Sequence, residues 1–467
     1  MLKFKKLERK DFNKINEYIK NSEYKVCDLS VGVMLMYNDY FNYEIAYHND
    51  TLIVKLFYDK VKQCFYPPLG KDISGAITEI EKYCTENEKT LSFTCVEESF
   101  LEYLKSRYSG DIDYFYNRNW SDYLYDFSEI ESFAGGKFSG QRNHINKFKK
   151  NYPNYKYSKI EVKDIKRVER FLKKYQTFHT DMKGIEKAEY LNTFTLFRNY
   201  KKGYFIGGKI EIDGKIVAVS LGEYTKNSLI IHTEKALTTY QGIYPTAFNE
   251  FVRLAKKDGI IYINREDDAG DMGLRTSKTQ YKPISLIHKN FVTIKKPFNI
   301  QKKPILKGDG ICLTPIRKSE TQTYYKLCTN KSLNKYWGYD YTKDISDLKV
   351  DSFYKMQLKD YKEKNNLCLA IREKQSSKML GEVILYNFSY DNKVELGIRL
   401  FKKEQSKGYG TKAMTLLADY VEEVLNKKAT AKCYKNNLSS QKMLLKCGFD
   451  LILTKGKFCY FEKTKKY

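Results

Sequence analysis

The sequence predicts an α/β (α+β) chain of three successive domains, each a central mixed, mainly antiparallel sheet flanked by helices. Three observations predict it. Apolar residues recur alternately with periods near 2 and near 3.6 along almost the whole 467-residue chain. One supersecondary order, β-αα-βββ-α-β-α-β, can be read three times, with little similarity between the copies residue by residue. Between 295 and 310, Pro297, Pro304, Gly308 and Gly310 interrupt both periodicities. The expected domains are therefore 1–130, 131–294 and 311–467, with 295–310 as a linker.

The elements follow in order. The first domain has helical spacing near 10–20 and 29–40, strands over 43–47, 52–57 and 63–66, and a helix over 73–84. A strand at 91–95, a helix over 97–107 and a strand near 111–115 complete it. The second opens on a basic helix after a Gly-rich lead at 135–140. It continues with a strand at 155–162, helices over 165–179 and 188–199, and strands over 204–212, 215–224 and 228–232. A helix over 240–257, a strand at 260–263, a short helix over 273–281 and a strand over 284–292 close it. The third runs through a strand at 311–316, helices over 320–329 and 346–365, and strands over 368–372, 381–388 and 394–401. A helix over 410–425, a strand at 429–434, a short helix over 439–446 and a strand over 451–461 follow.

Composition narrows the class. With 83 Lys+Arg against 57 Asp+Glu the net charge is +26, and 42% of residues are hydrophobic, too many for a disordered chain. The lysine excess fits an anionic partner such as a nucleotide cofactor, tRNA or an acidic surface. A general lysine bias accounts for it equally, because the charge is spread along the whole chain. No apolar run approaches the roughly 20 residues that span a bilayer, and the first residues lead into no signal-peptide core, so no membrane insertion and a cytoplasmic location are expected. The ten cysteines are scattered, with no C-x-x-C pair or neighbouring histidine cluster. That spacing predicts reduced thiols and no metal site.

The most specific local feature is the run from Ile398 to Gly410, a strand passing through a Gly-rich turn, Gln405-Ser406-Lys407-Gly408-Tyr409-Gly410, into a helix. Glycines there let backbone N–H groups approach an anion at the positive end of a helix dipole. A plain strand-to-helix turn would read the same way without further context. The context is the spacing Gln405-x-x-Gly408-x-Gly410, which resembles the acyl-CoA loop of the GNAT superfamily of N-acetyltransferases. The segment from Asn437 to Phe449 resembles that superfamily's N-x-x-S/A…G-F run. With the strands at 381–383 and 394–398, the likeness over 311–463 is strongest to the branch that acetylates ribosomal-protein N-termini and related amines.

The resemblance implies acetyl-CoA, or another acyl-CoA, as cofactor and an amine-bearing acceptor, a small molecule or a protein N-terminus. It implies cofactor contacts from Ile398, Leu400, Gln405, Ser406, Lys407, Gly408, Tyr409, Gly410, Thr411, Asn437 and Ser440. Amides of 407–411 would cradle the pyrophosphate, the edge of 398–400 would pair with the pantetheine arm, and the Leu400 N–H would face the thioester oxyanion. Direct attack by the amine needs a base, for which Glu395 or Glu382 is available; an exposed strand carboxylate is the plainer reading of both. Asn437 would hold the pantetheine or a catalytic water, or cap the helix that follows. Leu444 stands where many superfamily members have a tyrosine acid, leaving that role to Tyr434 or to none. Cys433 and Cys447 read as small buried apolar groups.

The first two domains carry other runs: Gly135 to Phe148, Ile231 to Ala236, Tyr262 to Gly270, and Tyr66 to Asp72. These resemble the soluble family related to the catalytic domain of lysylphosphatidylglycerol synthases, a pair of GNAT-like halves akin to Fem-type aminoacyltransferases, so that the whole chain would be three tandem GNAT-like domains. The resemblance implies a substrate channel collecting Arg142, Lys147, His232, Glu234, Asn264, Arg265, Glu266, Arg275 and Lys278, and tRNA as a possible partner. Asp267 and Asp268 read equally as helix N-caps, and Lys147 as part of a solvated helix face. The junction at 234–242 has a single glycine, so this half is expected to lack the usual CoA nest. The expected function is an acyl-CoA-dependent N-acetyltransferase acting on a primary amine. A tRNA-dependent aminoacyltransferase and a tRNA- or acyl-CoA-binding protein with degenerate sites are the alternatives.

Overall fold

Three mixed sheets flanked by helices organise the chain in the computed structural model, which describes residues 2–464 apart from 59–61, 88, 110, 178–183 and 338–347, and gives the backbone alone for 184–189. The chain divides into two units, Met1–Ile80 with Leu91–Lys295, and Glu81–Thr90 with Lys296–Tyr467. The first unit holds two of the sheets and the second unit the third. Most expected elements lie where apolar periodicity places them, including the helices Phe12–Lys20, Val31–Phe41 and Ile165–Thr177 and the strands Phe205–Ile212 and Lys215–Tyr224. The ends of the helices expected over 165–179 and 346–365 lie partly outside the described residues.

The two sheets of the first unit exchange strands. Asp122–Asp126, a strand that periodicity does not reveal, lies in the second sheet between Tyr262–Asn264 and Ser285–Ile287. Asn290–Ile294 returns to the first sheet, antiparallel to both Ser92–Val96 and Ile112–Tyr116. The expected single strand over 284–292 is therefore two strands in different sheets, broken at His288 and Lys289, where the Lys289 ammonium pairs with Asp28, Asp122 and Asp267. The expected strand over 451–461 is likewise a hairpin, Phe449–Lys455 and Phe458–Lys463, turned at Gly456 with φ +55°.

In the second sheet, Lys215–Tyr224 is buried on both faces, since Ile243–Leu254 covers one side and Ile165–Thr177 packs on the other. Its parallel pair, Ser228–Ala236 with Tyr262–Asn264, is in register only from Ser228 to Ile230. The third sheet repeats this arrangement. Its parallel pair, Lys393–Leu400 with Lys428–Tyr434, holds from Lys393 to Leu396 and then parts. Val394, Leu396 and Leu400 turn one face of that strand into a core with Ala413, Met414 and Leu417 of the helix Tyr409–Asp419. Two successive parallel pairs thus open into a gap, each followed by a helix that starts on a left-handed glycine.

Candidate functional site

The gap in the third sheet is built by strand parity. The Phe401 N–H donates to the Leu380 C=O of the neighbouring strand Met379–Tyr386. Alternation along the strand therefore turns the backbone N–H groups of Ile398 and Leu400 the other way, toward the gap beyond Leu396. Gly408 then caps the helix Tyr409–Asp419 with φ +83°, and no side chain caps it. The first intrahelical acceptor is the Gly408 C=O, bonded by the Lys412 N–H, which leaves the N–H groups of Tyr409, Gly410 and Thr411 free at the positive end of the dipole. A Cβ at Gly408 would meet nothing within 4 Å, so the turn is open. At Gly410 a Cβ would lie 3.2 Å from Met443 Sδ and 3.5 Å from Leu400 Cδ1, so glycine there lets the helix close on the strand.

The polar side chains of the loop are committed locally. The Gln405 Nε2 donates to the Leu400 C=O at 3.2 Å, bracing the strand end. Lys407 pairs at 3.0 Å with Glu404, a buried carboxylate that also holds Lys378 at 2.7 Å. Ser406 takes φ +62° to form the turn.

Of the two candidate bases, Glu382 is 1% exposed and its Oε1 is ion-paired with the Arg399 Nε across the strand pair, while Oε2 has no hydrogen-bond partner. Arg399 also bonds Asn334 and stacks 4.3 Å from the Trp337 ring. Glu395 is less enclosed. Its Oε1 accepts from the Tyr386 OH at 2.5 Å and lies 3.5 Å from Lys432 Nζ, and its Oε2 accepts from Asn387 Nδ2 at 2.9 Å. Burial and the adjoining Glu395 push the Tyr386 hydroxyl well above its ordinary pKa, so it stays a donor. Glu395, Gly397, Arg399, Lys432 and Tyr434 share the sheet face opposite the helix Tyr409–Asp419.

Asn437 caps the helix Leu438–Lys446, its side chain accepting from the Ser440 N–H at 3.3 Å. That helix packs on the N-terminal part of Tyr409–Asp419, which brings Asn437 and Ser440 to the same end of the gap as Gly410. Cys433 and Cys447 are buried, and burial raises both thiols, as suits apolar fillers.

In the first unit the corresponding junction is closed. Gly242 starts the helix Ile243–Leu254 with φ +82°, but a Cβ there would lie 2.3 Å from the His144 C=O and 3.1 Å from Phe148. The helix Ser139–Asn151 occupies the place where the Gly408 turn is open. On that helix Arg142 donates to the C=O groups of Phe133 and Gly135, fastening its own lead-in loop, and Lys147 is exposed.

The seven remaining channel residues all lie in paired or bonded networks. Arg265 sits on the rings of Phe248 (4.1 Å) and Tyr281 (4.8 Å) and donates to one Glu234 oxygen at 2.6 and 2.9 Å, while its Nη1 is buried without a partner. His232 is buried against Gly32, with Glu266 at 2.8 Å and Glu223 at 3.6 Å. Burial opposes its charge, but these carboxylates outweigh burial and raise its pKa to about 9. Glu223 in turn accepts from the N–H groups of Val31 and Gly32 at a helix start. Lys278 bonds the C=O groups of Arg265 and Asp267, and burial lowers its pKa. Arg275 grips Asp268 through two bonds of 2.9 Å. Asn264 is fully buried, bonded to Lys25 C=O and Asp122. The helix cap expected at Asp267 or Asp268 is Asp271, since Met272–Gln280 starts after it.

Sequence reading missed the centre of this network. Lys289 Nζ lies 2.7 Å from both Asp28 and Asp122, 3.3 Å from Asp267 and 3.3 Å from the Cys27 Sγ. Burial works against its charge and the carboxylates raise its pKa well above the usual value. The ammonium thus fills the space among Cys27, Asp28 and Asp122, whose ligand atoms lie within 4.8 Å of one another. The signal available was the polar run His288-Lys289-Asn290 set between the apolar positions Ile287 and Phe291. The partners of Lys289 come from segments too distant in sequence to be paired by inspection.

Residues 20–292 match the family described as phosphatidylglycerol lysyltransferase, C-terminal, and residues 311–450 match the acetyltransferase (GNAT) domain family. A crystal structure of a conserved protein of unknown function from Bacteroides thetaiotaomicron VPI-5482 superposes with a TM-score of 0.59 at 25% identity, covering 63% of this chain and all of that one. L-PGS from Bacillus licheniformis aligns with a TM-score of 0.45 at 14% identity, over 62% of this chain and 93% of that one. An uncharacterized protein of Mycoplasmoides gallisepticum is 26% identical over 202 residues, 42% of this chain; the chain spans 62% of that curated relative's length. No described helix is long and apolar enough to cross a membrane. The match over 20–292 takes in more than half of the sequence, and the chain belongs to the phosphatidylglycerol lysyltransferase C-terminal family, carrying a GNAT domain after it.

Proposed function

We propose that this protein is an acyl-CoA-dependent N-acyltransferase that moves an acetyl group to a primary amine by direct attack. The observation that carries the reading is the open Gly408 turn at the mouth of a parted parallel strand pair. When bound, acyl-CoA supplies the activated thioester. The free amides of Tyr409 to Thr411 would hold its diphosphate, and the gap-facing N–H groups of Ile398 and Leu400 would take the pantetheine amide and the carbonyl oxygen as negative charge develops there. Glu395, oriented by Tyr386 and Asn387, takes the proton from the incoming amine, directly or through a water. Glu382 is committed to Arg399 and serves the strand pair.

The first unit has its equivalent turn filled by His144, which supports a donor other than CoA, or no donor, in that half. It would act as a second transfer unit or as a module that positions the substrate. The test is thermal unfolding of the whole chain with CoA, together with release of free thiol from acetyl-CoA in the presence of an amine library. CoA at about 100 times its dissociation constant adds roughly 2.7 kcal/mol to the unit that binds it. Gly408→Val should abolish that gain and leave the transitions of the free protein cooperative. A gain that persists in Gly408→Val overturns the assignment.

A further inference from the structure

The proposed acceptor face has a charge pattern that neither family assignment explains. We infer that the amine it accepts is carried on an anionic molecule, an amine flanked by carboxylates or phosphates, and that Lys335, Lys432 and Lys457 select it. The inference rests on the acyl-transfer reading above for its setting and on the following geometry for its content. Trp337 stands over Gly397, where the strands part, its ring 3.7 Å from the position of a Cβ there. Next to it the rings of Tyr336 and Tyr434 lie 5.8 Å apart, and those of Tyr434 and Phe458 lie 4.7 Å apart. All four rings are partly exposed, so they form an accessible rim on the face that carries Glu395.

Lysines sit on this rim. Lys335 Nζ lies 5.2 Å from the Tyr336 ring centre, Lys432 Nζ 5.5 Å from that of Phe458, and Lys457 Nζ 5.4 and 5.5 Å from those of Tyr434 and Phe458. Among the described residues the one carboxylate paired with any of these three is Glu395, with Lys432 at 3.5 Å. Each cation already lies against the electron-rich face that a cationic acceptor would need. A polycation therefore meets like charge on rings already taken. An acidic acceptor meets complementary charge at the rim, and its single ammonium meets Glu395 inside. Such complementarity acts on encounter and discrimination more than on the chemical step.

The experiment measures acceptor affinity with the full chain and no acetyl-CoA, so that it is decided whether or not turnover occurs. Fluorescence anisotropy compares the labelled peptides Ser-Asp-Glu-Asp and Ser-Lys-Arg-Lys, with aminoethyl phosphate and spermine as unlabelled competitors. The acidic peptide is expected to bind at least tenfold more tightly at about 50 mM salt, the margin narrowing as screening shortens near 300 mM. Competition by aminoethyl phosphate and not by spermine shows that charge beside the amine is read, whatever the carrier. Combining Lys335→Glu with Lys457→Glu should reverse the preference, with the CoA-induced thermal shift retained as proof of folding. Equal or tighter binding of the basic peptide, or an unaltered preference in the double variant, overturns the inference. Loss of the CoA shift in the wild-type protein would instead overturn the acyl-CoA reading.

Discussion

His144 and Gly242 meet backbone to backbone: a methyl group added at Gly242 would lie 2.3 Å from the His144 carbonyl oxygen. Gly408, with nearly the same φ at the same kind of junction, faces nothing within 4 Å. One left-handed glycine is therefore a packing requirement, and the other leaves its turn open.

Alanine at the two positions should separate these roles. Gly242→Ala combines left-handed strain of about 1–2 kcal/mol with a backbone clash and should destabilise the first unit by roughly 3 kcal/mol in chemical denaturation. Gly408→Ala should cost about 1 kcal/mol in stability and at least tenfold in CoA affinity by calorimetry. Equal losses of stability at both sites would contradict the open turn.

His232 gives the first unit a pH-dependent stability of defined sign. Its folded pKa of about 9 lies above the ordinary imidazole value of about 6.5. Its contribution is fully present below pH 6.5 and is lost as pH rises through 9, a change on the order of 1–3 kcal/mol. Urea midpoints measured across that window should fall in the wild type and stay flatter in His232→Gln.

Glu234→Ala leaves the Arg265 guanidinium buried without a counter-charge and should cost roughly 3–5 kcal/mol. Replacing both residues by Leu and Met should recover most of that loss, because the ring-lined site around Phe248 and Tyr281 suits apolar side chains. Denaturation of the single and double variants checks it. A double variant as unstable as Glu234→Ala would show that the pair is not the source.

Glu395→Gln and Glu382→Gln should fail differently. The first is expected to lower kcat for acetyl transfer by about 10²–10⁴ with the CoA shift intact. The second should leave Arg399 uncompensated and lower stability by a few kcal/mol. Acetyl-transfer rates and thermal midpoints on the same preparations distinguish them.

What the sequence made legible was local. The run from Gln405 to Gly410 specifies its turn with contiguous residues, and period-2 and period-3.6 patterns place most helices and strands of all three sheets. Long-range pairing was not legible. Nothing in Leu286 or Val292 says that one belongs with Tyr123 and the other with Phe93 and Tyr114, so the strand at 284–292 reads as continuous. The residues around Lys289 come from three separate segments, 27–28, 122 and 267, and each taken alone reads as an ordinary acid or thiol. Arg142 and Arg275 were legible as cations, but whether such groups meet a ligand or their own chain is decided by where the backbone carbonyls of Phe133 and Gly135, or the Asp268 carboxylate, come to lie.

The strand Asn290–Ile294 sits between Ser92–Val96 and Ile112–Tyr116. During synthesis the edge strand Ile112–Tyr116 has no partner in the first sheet until some 170 further residues have left the ribosome, and the second sheet waits on the same stretch for Ser285–Ile287. Neither half can mature ahead of the other, and a nascent chain stalled near residue 130 holds two unclosed β-edges for a chaperone to shield.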